Sequence, residues 1–450
     1  MFFVFLRLAS LAICSQIFAQ CVTAPPYGQL SVSGTKLVGS SGETVALHGN
    51  SLFWSQWYPQ FWNETTVKAL KCNWNANVVR AAMGVDQGGY LSDATTNYNL
   101  VKAVIEAAIS QGIYVIVDWH VSATYTTEAV TFFTNISKTY GSYPHILYET
   151  YNEPLAVSWT DVLVPYHKLV IAAIRANDAK NVIILGTPTW SQDVDTASEN
   201  AITGYSNLMY TFHFYAATHY VNGLGAKVTT AVNNGLPVFV TEYGTCESSG
   251  DGKIDSSSMN TWWAFMDGLS ISYLNWAIDD KSESCAALVS GTTATNVGTS
   301  SYWTTSGKLV AAYYLSQSNG VSCSSSGSGT TTATTTKSAT TAITTKSSSS
   351  SSDLIVSVST TNSWNDGSQV NLVFTNSGSS AFCSTTFTLT LPSGSTIASS
   401  WNMNAVSGSA TQYTLPSWVN IAAGSSYSST GMTLSGSGTP TVTLNSSGGC

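Results

Sequence analysis

Two glutamates close apolar runs that suit buried strands. Glu153 ends "HILYETYNE" (145–153), ahead of a proline that stops the run, and Glu242 lies at the end of "PVFVTEY" (237–243). Two carboxylates facing each other across a cleft suit glycoside hydrolysis, in which one protonates the leaving oxygen while the other attacks or activates water. The chemistry needs one of them protonated and the other ionised. Arg80 and Tyr215 are placed to keep Glu242 ionised by charge and hydrogen bonding, and Glu153, flanked by Trp276 and an apolar wall, is placed to keep its proton. Glu149, four residues before Glu153 on the same strand face, is expected to complete a buried network, and Asp118 to brace its neighbours.

Such residues need a scaffold that brings distant strand ends together. Eight β-rich runs precede residue 324: "TVALHGN" (44–50), "NVVRAAM" (77–83), "YVIVDWH" (114–120), "HILYETYNE" (145–153), "NVIILGT" (181–187), "LMYTFHFY" (208–215), "PVFVTEY" (237–243) and "ISYLNWA" (271–277). Amphipathic segments such as 97–112 lie between several of them, each stopped by a turn signal such as Gly112. Alternating strand and helix implies a parallel sheet, and eight repeats in roughly 300 residues fit a (β/α)8 TIM barrel with its site at the C-terminal strand ends. An open doubly wound sheet would carry a glycine-rich loop after the first strand, and "HGNSLFWSQW" is not one. The strand ends collect His48, Arg80, His120, Asn152, Glu153, Trp190, His213, Tyr215, Glu242, Tyr243 and Trp276.

Only 9% of the 450 residues are charged and the net charge is −8, with no basic run, which argues against a nucleic-acid or membrane-surface partner. Residues 1–19 read as a signal peptide cut near Ala19, so the mature chain is expected to be secreted into the extracellular medium. Seven cysteines follow it, without the paired C-x-x-C spacing of zinc sites, and disulfides are the stronger reading in an exported chain. Cys246 and Cys285 follow the seventh and eighth strands, neighbours in a barrel, and are expected to pair.

The Ser/Thr tract from Ser324 to Ser352 has almost nothing to bury and reads as a flexible linker. It divides a domain at 20–323 from one at 353–450, where short alternating strands separated by Gly, Ser and Asn turns predict an all-β sandwich. Trp364, Trp401 and Trp418 lie in polar, turn-like surroundings there and suit an exposed stacking face for sugar rings.

"VVRAAM", "VIVDWH", "ETYNEP", "HFYA", "VTEYGT" and "LNWAIDDKSESCAAL" closely resemble glycoside hydrolase family 5 and, within it, cellulases, the secreted endo-β-1,4-glucanases; the resemblance covers most of 24–318. It implies Glu153 as acid/base and Glu242 as nucleophile of a retaining double displacement, with no metal or cofactor. Asn152 would hold the sugar 2-hydroxyl, Arg80 and Tyr215 would orient the nucleophile, and His120 and His213 would line the cleaving subsite. Trp276 would be its stacking floor, with His48, Trp54, Tyr90, Trp190, Lys281 and Glu283 placing neighbouring glucose units. Tyr243 departs from the tryptophan that often follows the nucleophile, which implies tuning rather than loss. Residues 353–450 are similar to family 2 carbohydrate-binding modules, which implies that the three tryptophans hold cellulose and that Cys383 and Cys450 close the domain, although Cys383 lies further inside than the family's terminal pair. A cellulose or related β-glucan partner and a monomer are expected. The same mechanism on mannan, xylan or mixed-linkage glucan, and a non-catalytic wall-binding protein, are the alternatives.

Overall fold

The computed structural model describes residues 22–323, 343–346, 353–364, 367–416, 419–436 and 438–449. The expected leader, Trp418, Cys450 and most of the expected linker lie outside these residues. Two compact units divide the chain, Met1–Ser326 and Gly327–Cys450.

The first unit opens with a short hairpin, β1 (Ser31–Ser33) and β2 (Lys36–Val38). Eight parallel strands then close into a barrel in sequence order: β3 (His48–Leu52), β4 (Val78–Gly84), β5 (Tyr114–His120), β6 (Ile146–Glu149), β7 (Ile183–Leu185), β8 (Leu208–Tyr215), β9 (Val238–Gly244) and β10 (Tyr273–Ile278). Each expected run overlaps one of these strands, so the TIM barrel stands. The helix expected over 97–112 spans Ala94–Gln111; Asp93 caps its start by accepting from Thr96 N–H, and Gly112, at φ 69°, ends it in the left-handed conformation that glycine adopts without a Cβ penalty.

Strand alternation sorts the barrel residues into layers. Leu47, Val78, Ile116, Leu147, Ile184, Met209, Phe239 and Leu274 plug the bottom of the interior, while Val79, Val117, Tyr148, Phe212 and Val240 face the helices. Above the plug sits a polar layer containing Ser51, Arg80, Asp118, Glu149, Thr211 and Thr241, every one fully buried.

Two local departures shape the site. β6 stops at Glu149, because the chain leaves β7 after Thr150 N–H donates to Ile184 O, and bonds back to β5 through Asn152 N–H to Trp119 O and Glu153 N–H to Val121 O. Glu153 therefore sits four residues beyond the strand, fixed by backbone hydrogen bonds rather than by the ladder itself. In β9 the register slips by one residue against both neighbours, Thr211↔Phe239 giving way to His213↔Glu242 on one side and Tyr273↔Val240 to Asn275↔Tyr243 on the other. This β-bulge turns two consecutive side chains, Thr241 and Glu242, into the barrel.

Two disulfides join the first unit: Cys246–Cys285 as expected, and Cys72–Cys323, whose sequence separation of 251 residues gave no local signal.

In the second unit β11 (Ile343–Lys346), β12 (Leu354–Trp364), β13 (Gly367–Asn376), β18 (Ser426–Ser435) and β15 (Thr396–Trp401) form one antiparallel sheet; β16 (Asn404–Ala405), β17 (Gln412–Thr414), β14 (Phe382–Thr390) and β19 (Thr441–Gly449) form the other. Val356, Leu372, Phe374, Phe387, Met432 and Leu444 build the buried core of this all-β unit.

Candidate active site

Arg80 organises the polar layer. Its Nε and Nη2 donate to Glu149 Oε2 and Oε1 at 2.7 and 3.2 Å, Nη2 also to Asn152 Oδ1 at 2.6 Å, and Nη1 to Glu242 Oε2 at 3.0 Å and to Ser51 at 3.3 Å. Asp118 Oδ2 lies 2.9 Å from Nη2 and takes the Nδ1 hydrogen bond of His120 at 2.7 Å. Glu149 and Asp118 thus perform the bracing expected of them.

One guanidinium facing three carboxylates divides their proton affinities. Burial raises all three, and Arg80 opposes it: Glu149, gripped by two of its nitrogens and near His213, falls to about 2, whereas Asp118 is left well above the usual carboxylate range. Burial and the adjacent Arg80 push His120 down to about 3, leaving it neutral.

Glu153 and Glu242 differ in the same way. Burial acts on both, but His213 and Arg80 hold Glu242 below its ordinary value, with Tyr215 Oη donating to Glu242 Oε1 at 2.7 Å. Glu153 is raised, by burial first and by the Glu242 charge, while its bond from His213 Nδ1 at 3.0 Å works the other way. Burial opposes the His213 cation, yet Glu242, Glu149 and Glu153 together lift it to about 9. Glu153, His213 and Glu242 each place one polar atom so that all three lie within 4.8 Å of one another. That spacing would also suit an ion, but His213 spends both nitrogens on Glu153 and Thr241 and Glu242 is occupied by Arg80 and Tyr215, so the donors are already used within the protein.

The neighbouring aromatics define a cleft. Trp276, 6% exposed, stacks on His120 with centroids 5.2 Å apart and planes at 4°, and its peptide bond to Ala277 is cis. Trp54 stands edge-on to His120 at 4.5 Å and stacks at 4.8 Å on Trp57, which is 46% exposed and was not singled out from sequence although it follows Trp54 by three residues. Lys281 pairs with Glu283 at 2.5 Å and stands 5.3 Å over the Phe53 ring. Trp190, 48% exposed, rides on a turn in which Thr189, Trp190 and Ser191 all have φ between 55° and 59°. That left-handed run costs about 1–3 kcal/mol per residue and persists only where its surroundings enforce it. Trp190 N–H donates to Pro154 O, Thr189 N–H to Leu155 O and Ser191 Oγ to Asn152 O, so the turn is pinned to the segment that carries Glu153.

Two expected sugar contacts are not gathered. His48 begins β3 rather than ending it, and its ring stacks on Tyr273 at 4.3 Å with Nδ1 bonded to Asn319. Ser51 and Phe53 have the inward parity, so His48 faces the helices. Tyr90 follows β4 at the correct end, but its ring packs edge-on against Trp119 and Phe132 on the outer layer. Tyr243 is also buried outside the barrel, where its hydroxyl meets the Tyr314 hydroxyl and Trp263 N–H at 2.9 and 3.3 Å, which backs β9 rather than touching the cleft.

Asp279, just past β10, is fully buried with one carboxylate oxygen accepting Lys281 N–H and the other unpartnered among the described residues; burial pushes it up to about 8. Its folded pKa exceeds its ordinary value of 3.8, so the native state holds the extra proton and stability falls as pH rises from about 4 to about 8. We expect urea unfolding to show the parent losing stability between pH 5 and pH 8 relative to Asp279→Asn by about 4 kcal/mol. A pH-independent difference between the two proteins would contradict the buried acid.

In the second unit Trp401 pairs with Gly431, where an added Cβ would lie 2.4 Å from the indole. The half-buried ring therefore sits against a bare glycine, on the face opposite the buried Met432. Trp364 ends β12 and Trp418 is outside the described residues. Cys383 is disulfide-bonded; its expected partner, Cys450, is outside them too.

Residues 38–282 match the family described as Cellulase (glycosyl hydrolase family 5), and residues 355–449 match Cellulose binding domain. An endoglucanase of Clostridium saccharobutylicum is 42% identical over 298 residues, 65% of this chain and 66% of the relative. Endoglucanase Z of Dickeya dadantii is 45% identical over 56% of this chain and 60% of its own length. The chain thus matches somewhat under two thirds of the length of these curated relatives. Among solved structures, the catalytic domain of Thermobifida fusca endoglucanase Cel5A is 32% identical with a TM-score of 0.61, covering 65% of this chain and 99% of that one. The barrel, its buried carboxylates and a family match that spans more than half of the sequence lead to one assignment: the chain belongs to the cellulase family, glycosyl hydrolase family 5.

Proposed function

We propose that the protein is a secreted endo-β-1,4-glucanase that cleaves internal bonds of cellulose with retention of configuration and acts as a monomer. The observation that carries the mechanism is the closeness of Glu153 and Glu242, with oxygens inside 4.8 Å, which belongs with the short separation of retaining enzymes and leaves no room for the water that an inverting enzyme places between them.

In the first step Glu153 gives its proton to the glycosidic oxygen as that oxygen leaves, while Glu242 bonds to the anomeric carbon. Glu153, now a carboxylate, takes a proton from water as the water oxygen displaces Glu242, and both groups return to their starting state. Arg80 and Tyr215 keep Glu242 ionised and aimed; Asn152, whose Oδ1 is spent on Arg80, keeps its amide hydrogens for the sugar 2-hydroxyl. Trp276 supplies the stacking floor beside His120, and Trp54, Trp57, Trp190, Lys281 and Glu283 place the flanking units.

The second unit holds the enzyme on insoluble cellulose through Trp364, Trp401 and Trp418, and the Ser/Thr tract at 324–352 tethers it, raising the local concentration of cleavable chain. The half-buried Trp401, set against the bare Gly431, supports that role. Among the described residues no helix is long and apolar enough to cross a membrane.

The test is reducing-sugar release from carboxymethylcellulose, mannan and xylan side by side, with NMR of the first product anomer and a Trp401→Ala arm on insoluble cellulose. We expect preference for the cellulose derivative, an initial β-anomer and weaker retention of the Trp401→Ala protein on the solid. Preference for mannan or xylan would overturn the substrate, and an initial α-anomer would overturn the mechanism.

A further inference from the structure

The chain of groups behind His213 decides which of its nitrogens can change protonation. Glu149, ionised by the grip of Arg80, can only accept hydrogen bonds. Thr241 Oγ1 lies 2.7 Å from Glu149 Oε1 and must donate its single hydroxyl proton there. Having spent it, Thr241 can only accept, from the Thr211 hydroxyl and from His213 Nε2 at 2.9 Å. Nε2 must then carry a hydrogen whether the ring is neutral or charged. Nδ1, 3.0 Å from Glu153 Oε1, is left as the only nitrogen able to gain or lose one.

We propose that Glu149 and Thr241 are positioning residues that lock His213 with Nε2 protonated, so that His213 Nδ1 and Glu153 hold one proton between them at the point of catalysis. The β9 bulge is what sets the lock beside the nucleophile: Phe239 and Thr241 face inward by regular alternation, and the extra residue turns Glu242 inward next to Thr241 where it would otherwise face the helices. The inference rests on Glu153 as the acid/base proposed above and adds how its proton is kept.

The locked ring serves both halves of the reaction. The surrounding carboxylates favour the shared proton on Nδ1 of the charged ring; its passage to Glu153 leaves a neutral ring that accepts it as a hydrogen bond at Nδ1, and the acid is loaded. Once the proton has gone to the leaving oxygen, the Nδ1 lone pair faces the new carboxylate; that repulsion makes Glu153 a stronger base towards the incoming water, whose proton restores the starting count. The other charged and titratable groups facing the pair are Glu149, Glu242 and His120, with Arg80 and Asp118 beneath them and Tyr215 on Glu242. Of these only Glu149 approaches Nε2, its Oε1 lying 3.8 Å away and so beyond hydrogen-bond distance; Thr241 makes the one hydrogen bond to Nε2 and relays the Glu149 charge to it.

Removing the Thr241 hydroxyl gives a signed expectation. In Thr241→Val, Nε2–H loses its only hydrogen-bond acceptor, Glu149 Oε1 remaining 3.8 Å away, and the balance shifts to the Nδ1–H tautomer, which bonds to a Glu153 carboxylate and disfavours the loaded acid. The pair then gives up its proton at lower pH.

The experiment compares kcat/KM against pH for the parent, Thr241→Val and Thr241→Ser on two substrates: cello-oligosaccharides, whose leaving oxygen needs a proton, and a dinitrophenyl cellobioside, whose leaving group does not. We expect Thr241→Val to lose roughly tenfold on cello-oligosaccharides and far less on the aryl glycoside, with the basic limb about one pH unit lower. Thr241→Ser should restore both. Nitrogen-15 NMR of the parent should show His213 as the Nε2–H tautomer when the ring is neutral. A Thr241→Val profile that matches the parent, an equal loss on both substrates, a Thr241→Ser protein shifted like Thr241→Val, or a parent ring in the Nδ1–H tautomer each overturns the lock. Should Thr241→Val fail to fold, the serine variant and the parent spectrum still decide. Glu153→Ala separates the underlying reading: if it loses no more on cello-oligosaccharides than on the aryl glycoside, Glu153 is not the acid, whatever Thr241 does.

Discussion

Glu242→Gln should fold as the parent does and lose cellulose-derivative turnover by on the order of 10⁴-fold or more. The substitution is nearly isosteric, and its amide can keep both native contacts: oxygen towards Arg80 Nη1, and nitrogen towards the Tyr215 oxygen, which switches from donor to acceptor. The melting transition should therefore stay close to the parent's while the bond to the anomeric carbon can no longer form. Glu242→Ala adds a sharper readout. It opens space where the nucleophile stood, and azide entering there attacks the same face once, so an activated β-aryl cellobioside should yield an α-glycosyl azide. Turnover of Glu242→Gln within tenfold of the parent, or a β-azide from Glu242→Ala, would remove Glu242 from the nucleophile's role.

The features legible in the sequence are those carried by periodicity and chemical type. Eight apolar runs spaced by helical segments could hardly close into anything but a barrel, and strand order then brought Glu153 to Glu242 and Cys246 to Cys285. What escaped depended on single-residue shifts. His48 was placed at a strand end by counting the run from Thr44, but the ladder begins at His48 itself, and the parity of Ser51 and Phe53 turns it outwards. Regular alternation from the inward Phe239 through "VFVTEY" would turn Thr241 inward and Glu242 outside, and nothing in one sequence marks the bulge that brings both of them in. Trp57 was hidden in plain view as one aromatic among several in "LFWSQWYP". Cys72 and Cys323 pair across almost the whole domain, a closure that local pattern does not encode.

Arg80→Met is expected to be the most damaging change to the barrel's stability, because the guanidinium is fully buried and is the shared partner of Glu149, Glu242 and Asp118. Three buried carboxylates would lose their countercharge at once, and breaking a buried pair by removing one member costs about 3–5 kcal/mol. The loss should depend on pH with a definite sign. Glu149 has a folded pKa of about 2, below its ordinary 4.5, so the parent gains stability from it above about pH 4.5 and surrenders that gain as pH falls towards 2. Without Arg80 the carboxyl has nothing to hold it ionised, burial raises its pKa, and the native state takes up a proton that the parent refuses. Urea unfolding of the barrel should then show a gap between parent and variant that is widest near pH 8 and narrows by pH 4. Arg80→Lys should fall between them, since a single ammonium can satisfy one carboxylate but cannot span Glu149, Asn152 and Glu242 as the planar fork does. An Arg80→Met protein as stable as the parent at pH 8, or a gap that widens in acid, would mean that Arg80 is not what holds Glu149 and Glu242 ionised.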